Sequence, residues 1–408
     1  MTGFDASLSF SRRGLLRAAG AGALLGAASG LSTLALAGPG QPGGPRLVFV
    51  ILRGGLDGLY AVPAIGDPAF ASARGPLAEY ASAPLPLQGV FALHPALTEL
   101  HGMYQRNEAA VLHAVGLSYH ERSHFDAQQV LESGGTQPYQ LKDGWLGRAL
   151  QADARKGLAM NTAVPLVLRG SRNIDTWAPS RMPDPSDDLL QRLSRMYGND
   201  AVLAAALQRA RGLRDGADGD AMADGMAGGK ASAAFPALCA RAAEFLAQDQ
   251  GPQVAVLEIE GWDSHADQAA PKGRLSANLR QLDTGLAALR TGLTAPGAND
   301  AWRRTVIMVA TEFGRTVEVN GTRGTDHGTG AAAFLLGGAV RGGRVIADWP
   351  GLAAAQRFEG RDLKVTTDLR APMKALLGEH LRVASTAIER DVFPGSAAIK
   401  PADGLLKA

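Results

Sequence analysis

Six short runs of consecutive apolar residues recur along the chain, at positions 46–52, 109–115, 164–168, 254–259, 305–310 and 331–336. The first ends at Gly54 and Gly55 and the second at Gly116, as buried strands do when they give way to loops. The run at 164–168 is the weakest of the six. Helical patterns lie between the runs, clearest at 200–214, 234–248 and 274–293. Strands alternating with helices predict an α/β fold whose mostly parallel central sheet is covered by helices on both faces. No internal repeat is visible. Positions 215–232 mix Gly, Ala and Asp without period, and they lack the spacing and terminal Glu of a calcium loop. They read as a flexible insertion. The chain from Phe393 onward reads as irregular surface segment.

The N-terminus carries a different pattern. Ser11-Arg12-Arg13-Gly14-Leu15-Leu16 precedes an apolar, Ala/Gly-rich stretch over 18–36, and Ala35-Leu36-Ala37 supplies a small-x-small cleavage signature. Paired arginines, weak apolar core and small-residue site predict a removable twin-arginine signal over 1–37. Export would then run through the twin-arginine translocase, to a periplasmic or secreted location. The stretch is long enough for a retained anchor, but its Gly and Ala make it poorly hydrophobic. Positions 38–45, GPGQPGGP, read as a linker ahead of a single domain over 46–400. No later segment is continuously apolar enough to span a membrane.

Composition narrows the options. Residues 1–37 hold three basic groups (Arg12, Arg13, Arg17) and one acidic (Asp5), so of 41 basic and 39 acidic residues the remainder keeps 38 of each. A neutral mature chain argues against nucleic-acid binding through a broad basic surface. The one cysteine, Cys239, lies in an apolar helical context and reads as a buried structural thiol.

Ligands of an open parallel sheet bind beyond the carboxyl ends of its strands, so the residues after each run matter most. These are Arg53-Gly54-Gly55-Leu56-Asp57-Gly58, then Tyr119-His120-Glu121-Arg122-Ser123-His124-Phe125-Asp126, Gly261-Trp262-Asp263-Ser264-His265-Ala266-Asp267 and Thr311-Glu312-Phe313-Gly314-Arg315-Thr316. Thr325-Asp326-His327-Gly328 precedes the sixth run. Four of the chain's 8 histidines fall in these segments among several carboxylates. Imidazoles and carboxylates gathered at one sheet end suit a divalent metal, Zn²⁺ or Mn²⁺, with Ca²⁺ where carboxylates dominate. Taken singly, Asp263 and Ser123 read equally as helix N-caps. Arg53 and Arg315 read either as forks for an anionic group or as ion-pair partners of Asp57 or Glu312.

These blocks resemble the bacterial family called domain of unknown function 1501, over essentially the whole mature chain. That family looks like a distant branch of the alkaline phosphatase and sulfatase superfamily. The resemblance implies a metal held by Asp57, Asp263, His265, Glu312 and His327. It also implies a nucleophile at Ser123; His124 or His120, as imidazoles that titrate near neutral pH, would then shuttle the proton, and Arg315 would grip the anion. Two departures stand out. Glu312-Phe313-Gly314 replaces the usual Asp-His-Gly, and Asp263 and His265 are two apart rather than four. One metal is therefore expected rather than two, unless His120, His124 or Asp326 rebuild the second site.

Two functions from different classes follow. The first is an exported metal-dependent hydrolase of a phosphate or sulfate ester, whose substrate is an anionic small molecule or polymer. The second is a non-catalytic binding or assembly module for an envelope or extracellular polymer. An oxidoreductase ranks last, because the sequence has no cysteine cluster, no haem-attachment motif and no Gly-x-Gly-x-x-Gly after a strand.

Overall fold

Five of the six apolar runs are strands of one nine-stranded sheet in the computed structural model, which describes residues 43–153, 155–179, 185–215, 231–269 and 273–407. All of these belong to the compact unit Pro39–Ala408. The signal over 1–37, most of the linker and the insertion's core lie outside the described residues. The strands are β1 (Arg46–Arg53), β2 (Ala109–Gly116), β3 (Gly157–Ala159), β4 (Ile174–Thr176), β5 (Val254–Glu260), β6 (Thr305–Thr311), β7 (Ala331–Leu336), β8 (Arg344–Ile346) and β9 (Thr367–Asp368). Their spatial order is β8-β2-β7-β6-β1-β5-β3-β4, with β9 also paired to β2. Every pairing is parallel except the two made by β7, which runs against both β2 and β6.

The long strands β1, β2, β5, β6 and β7 are almost wholly apolar because both faces are covered. Val48, Val50 and Leu52 of β1 point into one core, while Leu47, Phe49 and Ile51 point into the other. Helices α1 (Thr98–Gln105), α4 (Ala231–Ala247) and α5 (Arg274–Thr294) pack on the first face, with Cys239 fully buried among them. Helices α2 (His124–Ser133) and α3 (Trp145–Asp153) cover the second. Among the described residues, no helix is long and apolar enough to cross a membrane.

Two expectations are corrected. The run at 164–168 is not a strand. Pro165 cannot donate to a sheet ladder, and the segment closes into a 3-10 turn over Leu166–Leu168, with Leu168 N–H donating to the Pro165 carbonyl at 3.1 Å. The sheet edge is built instead from the short strands β3 and β4 on either side. Nor is the tail wholly surface chain, since Phe393 is buried and stacks on Trp145 at 5.7 Å, and Leu405 is buried with it.

One consequence of β7's direction positions the site. The parallel strands β1, β5 and β6 end at a common edge, and so does β2. Because β7 runs the other way, the loop ahead of it arrives at that same edge. Five separate loops therefore meet there. Gly54 and Gly55 make this possible, at φ 119° and 71°. A Cβ on Gly54 would sit 2.6 Å from the Asp263 backbone nitrogen, and one on Gly55 would sit 2.7 Å from the Phe313 ring.

Candidate active site and metal centre

The site centres on Oδ1 of Asp263, in the loop after β5. Three imidazole Nε2 atoms surround this oxygen, those of His265 at 2.9 Å, His327 at 3.3 Å and His124 at 3.5 Å. His265 shares the Asp263 loop, His327 comes from the loop before β7, and His124 is the first residue of α2. His124, Asp263 and His327 offer donor atoms all within 4.8 Å of one another. Phe313 braces two of the rings, 4.7 Å from His124 and 5.0 Å from His327.

The far side of each imidazole is fixed by an acceptor. His124 Nδ1 lies 2.8 Å from Glu312 Oε1, His327 Nδ1 lies 2.9 Å from the Arg122 carbonyl, and His265 Nδ1 lies 3.2 Å from Asp326 Oδ1. A carbonyl or an ionised carboxylate only accepts, so each Nδ1 carries the proton. Burial raises the Glu312 carboxyl, but donors from His124, Gln128 and the Gly54 N–H outweigh it and hold it ionised. Asp326 is likewise held low, first by Asn320. Three Nε2 atoms thus crowd one carboxylate oxygen, with those of His265 and His327 only 3.1 Å apart. Two neutral imidazoles in that orientation repel unless a cation lies between them. His124 Nε2 is buried and has no hydrogen-bond partner. The arrangement fits a divalent cation, and a donor set of three imidazoles and one carboxylate suits Zn²⁺ or Mn²⁺ better than Ca²⁺.

Charge at the cluster follows from the same contacts. Burial lifts the Asp263 carboxyl, but Arg315 more than cancels this, with His265 and His124, and holds it at about 2. The Glu312 hydrogen bond raises the His124 imidazole despite partial burial. His327 is lowered, chiefly by burial and further by Arg315 and His124.

The remaining sequence candidates are placed differently. Asp57 is buried beneath the site, where it caps a short helical turn through the Tyr60 N–H, pairs with Arg74 and accepts from Gln268. It is not part of the imidazole group. Glu312 is wholly buried and is taken up by four donors, those of Gly54, His124, Gln128 and Thr311. It orients a histidine and does not join the donor set itself. Arg315 is buried, and its guanidinium ties together the carbonyls of Gly54, Gly55, Trp262 and Thr325 while pairing with Asp263. That occupation leaves it a strut between loops rather than an anion fork, with Asp263 in the place expected for Glu312. Arg53 pairs with Glu132 and Glu258. His120 packs at a tilt against Phe358 at 5.0 Å and is not one of the clustered donors. Ser123 occupies the N-cap position of α2, yet its side chain makes no cap hydrogen bond.

Sequence reasoning missed Gln128, Phe313 and the Arg122 carbonyl. Gln128 was within reach, because it stands four residues after His124 on one helix face.

Comparison with known proteins places the chain in a family. A family model described as a protein of unknown function (DUF1501) matches residues 94–390, most of the chain. The chain belongs to that family. No curated protein matches it by sequence. Solved structures similar to it include Ps i-CgsB in complex with k-i-k-neocarrahexaose, at 11% identity over 88% of this chain and 77% of that one, with TM-score 0.41. The PsFucS1 sulfatase from Pseudoalteromonas sp. shares 13% identity over 89% and 72%, with TM-score 0.39. A protein in the alkaline phosphatase superfamily from Vibrio parahaemolyticus shares 9% over 82% and 67%, with TM-score 0.40. At this degree of likeness nothing about chemistry transfers to the chain.

Proposed function

We propose that the chain is a metal-dependent hydrolase of a phosphate or sulfate ester. The observation carrying this reading is the convergence of three Nε2 atoms on Asp263 Oδ1, each ring fixed from behind by Glu312, the Arg122 carbonyl or Asp326. A divalent cation held by His124, Asp263 and His327, with His265 beside them, would supply Lewis acidity and lower the pKa of a bound hydroxyl or water. The protein's own groups do the rest. Glu312 keeps His124 in one tautomer, as carboxylate–histidine pairs do at metal sites. Arg315 holds the Asp263 loop against the β1 loop. The Ser123 hydroxyl, free of a capping role, stands beside His124 as the attacking oxygen. Export by the twin-arginine route to the periplasm, with the translocase as transient partner, belongs to the same proposal. It rests on Arg12 and Arg13.

A second reading, a binding module without turnover, draws on Asp57 and Arg315 being engaged by the protein itself. One experiment separates the two. The purified mature protein is assayed on aryl phosphate and aryl sulfate esters with added Zn²⁺, Mn²⁺ or Ca²⁺, alongside elemental analysis. Near-stoichiometric metal and turnover lost in His124→Ala support the hydrolase. Metal-free protein with no uptake and no turnover overturns it.

A further inference from the structure

Arg122 stands in the left-handed region, at φ 59°, which residues other than glycine occupy sparingly. This conformation accompanies the inward carbonyl that meets His327 Nδ1 at 2.9 Å, immediately before Ser123 and His124. Its guanidinium turns the other way and is fixed there. Arg122 Nε donates to Asp362 Oδ2 at 2.8 Å, and Nη2 reaches the same oxygen and Glu359 at 2.6 Å. Asp362 is fully buried, and its Oδ1 faces Arg361 Nη1 at 3.4 Å. The adjacent residue acts on the same histidine from another direction, since Arg361 Nη2 donates to the His327 carbonyl at 2.9 Å. The segment that carries both is pinned by its own backbone. Phe358 and Asp362 exchange hydrogen bonds, and Val317 N–H donates to the Arg361 carbonyl.

We propose that Arg361 and Asp362 are positioning residues for His327. Arg361 fixes its main chain, and Asp362 fixes its ring by anchoring Arg122 so that the Arg122 carbonyl stays on Nδ1. Neither residue comes within the imidazole group, and neither is needed to close the sheet. Their shared effect is to keep the His327 Nε2 lone pair on the cation site. This rests on the metal-site reading above.

Two measurements keep the proposals distinguishable. In metal-free protein, the imidazole ¹⁵N resonances of His327 should report a single Nδ1–H tautomer in the wild type. Asp362→Ala should shift them toward a mixture, because the ring loses its fixed acceptor. Zinc affinity, read by competition with a chromophoric chelator, should weaken by about tenfold or more. Arg122→Lys serves as a second variant should Asp362→Ala not fold. It retains the positive charge and lacks the fork that spans Asp362 and Glu359, so the same two shifts are expected at smaller size. Unchanged His327 resonances together with zinc affinity within twofold of wild type, in the variant that folds, overturn the positioning role. A wild type that takes up no zinc, while the tautomer still responds, overturns the metal reading and leaves the positioning role standing.

Discussion

Replacing Glu312 by Gln separates the charge of this residue from its shape. Oε1 accepts from the Gly54 N–H at 2.8 Å, His124 Nδ1 at 2.8 Å and Gln128 Nε2 at 3.1 Å. A glutamine oxygen in the same place keeps all three bonds, and its amide group faces the Thr311 hydroxyl. Bonds to a charged acceptor contribute about 1.5–3 kcal/mol, and neutral ones about 0.5–1.5 kcal/mol. The three therefore weaken by roughly 3 kcal/mol together. Release of a fully buried charge offsets part of this, leaving a net loss of about 1–2 kcal/mol. For a domain of this size that is a fall of only about 1–3 °C in melting temperature. The effect on metal should be larger in proportion. A partner behind a ligating histidine typically contributes 10–100-fold in affinity, or about 1.4–2.8 kcal/mol. Zinc titration and differential scanning fluorimetry on the same preparation measure both. Wild-type affinity in Glu312→Gln, at any melting temperature, would refute a contribution of the Glu312 charge to the metal site and leave it only the hydrogen bond that glutamine retains.

Three further outcomes are expected. Ser123→Ala should alter stability by less than about 0.5 kcal/mol, because no capping bond is lost, while abolishing ester turnover; retained turnover would remove Ser123 from the chemistry. Asp57→Asn should cost about 3–5 kcal/mol by leaving the buried Arg74 without its counter-charge, with zinc content unchanged; loss of zinc at full stability would restore Asp57 as a ligand. His94, His113 and His380 are buried, and desolvation holds each at about 4 against about 6.5 unfolded. A lowered folded value means that stability is complete above pH 6.5 and drains away as pH falls toward 4, by up to about 3 kcal/mol per histidine. Urea unfolding of chelator-treated protein at pH 7, 5.5 and 4.5 should show this fall, and a flat profile would contradict it.

Much of the fold was legible because its strands are buried on both faces. Residues such as Val48 and Phe49 face opposite cores, so continuous apolarity marked β1, and likewise β2, β5, β6 and β7. The short strands β3 and β4 at one end of the sheet are three residues each and left no run to read, while the buried residues 166–168 copied a strand's composition within a turn. The loops of the site were legible from the strand-end rule. The partners inside them were not, because pairing is a tertiary property. Arg74 meets Asp57 from 17 residues away, and Arg315 meets Asp263 across 52. Nothing local shows which carboxylate a distant guanidinium will meet. Phe393 was similarly hidden, since a single aromatic in an irregular tail carries no periodicity.

The position of β7 also governs when the protein can assemble. It is the strand that joins β2, with β8 and β9, to the β6-β1-β5 half of the sheet. Until it is inserted, the two halves share no backbone pairing and both present open edges. Roughly 210 residues separate β2 from β7, which at about 5–20 residues per second is some 10–45 seconds of synthesis. Throughout that interval β2 has been made but lacks its neighbour. The loop bearing His327 enters just ahead of β7, so the last histidine of the cluster and the strand that closes the sheet arrive together. A ribosome-bound chain halted before residue 331 should accordingly expose a sticky sheet edge and demand chaperone cover, and on the metal reading proposed above, cation uptake would report that the sheet has closed.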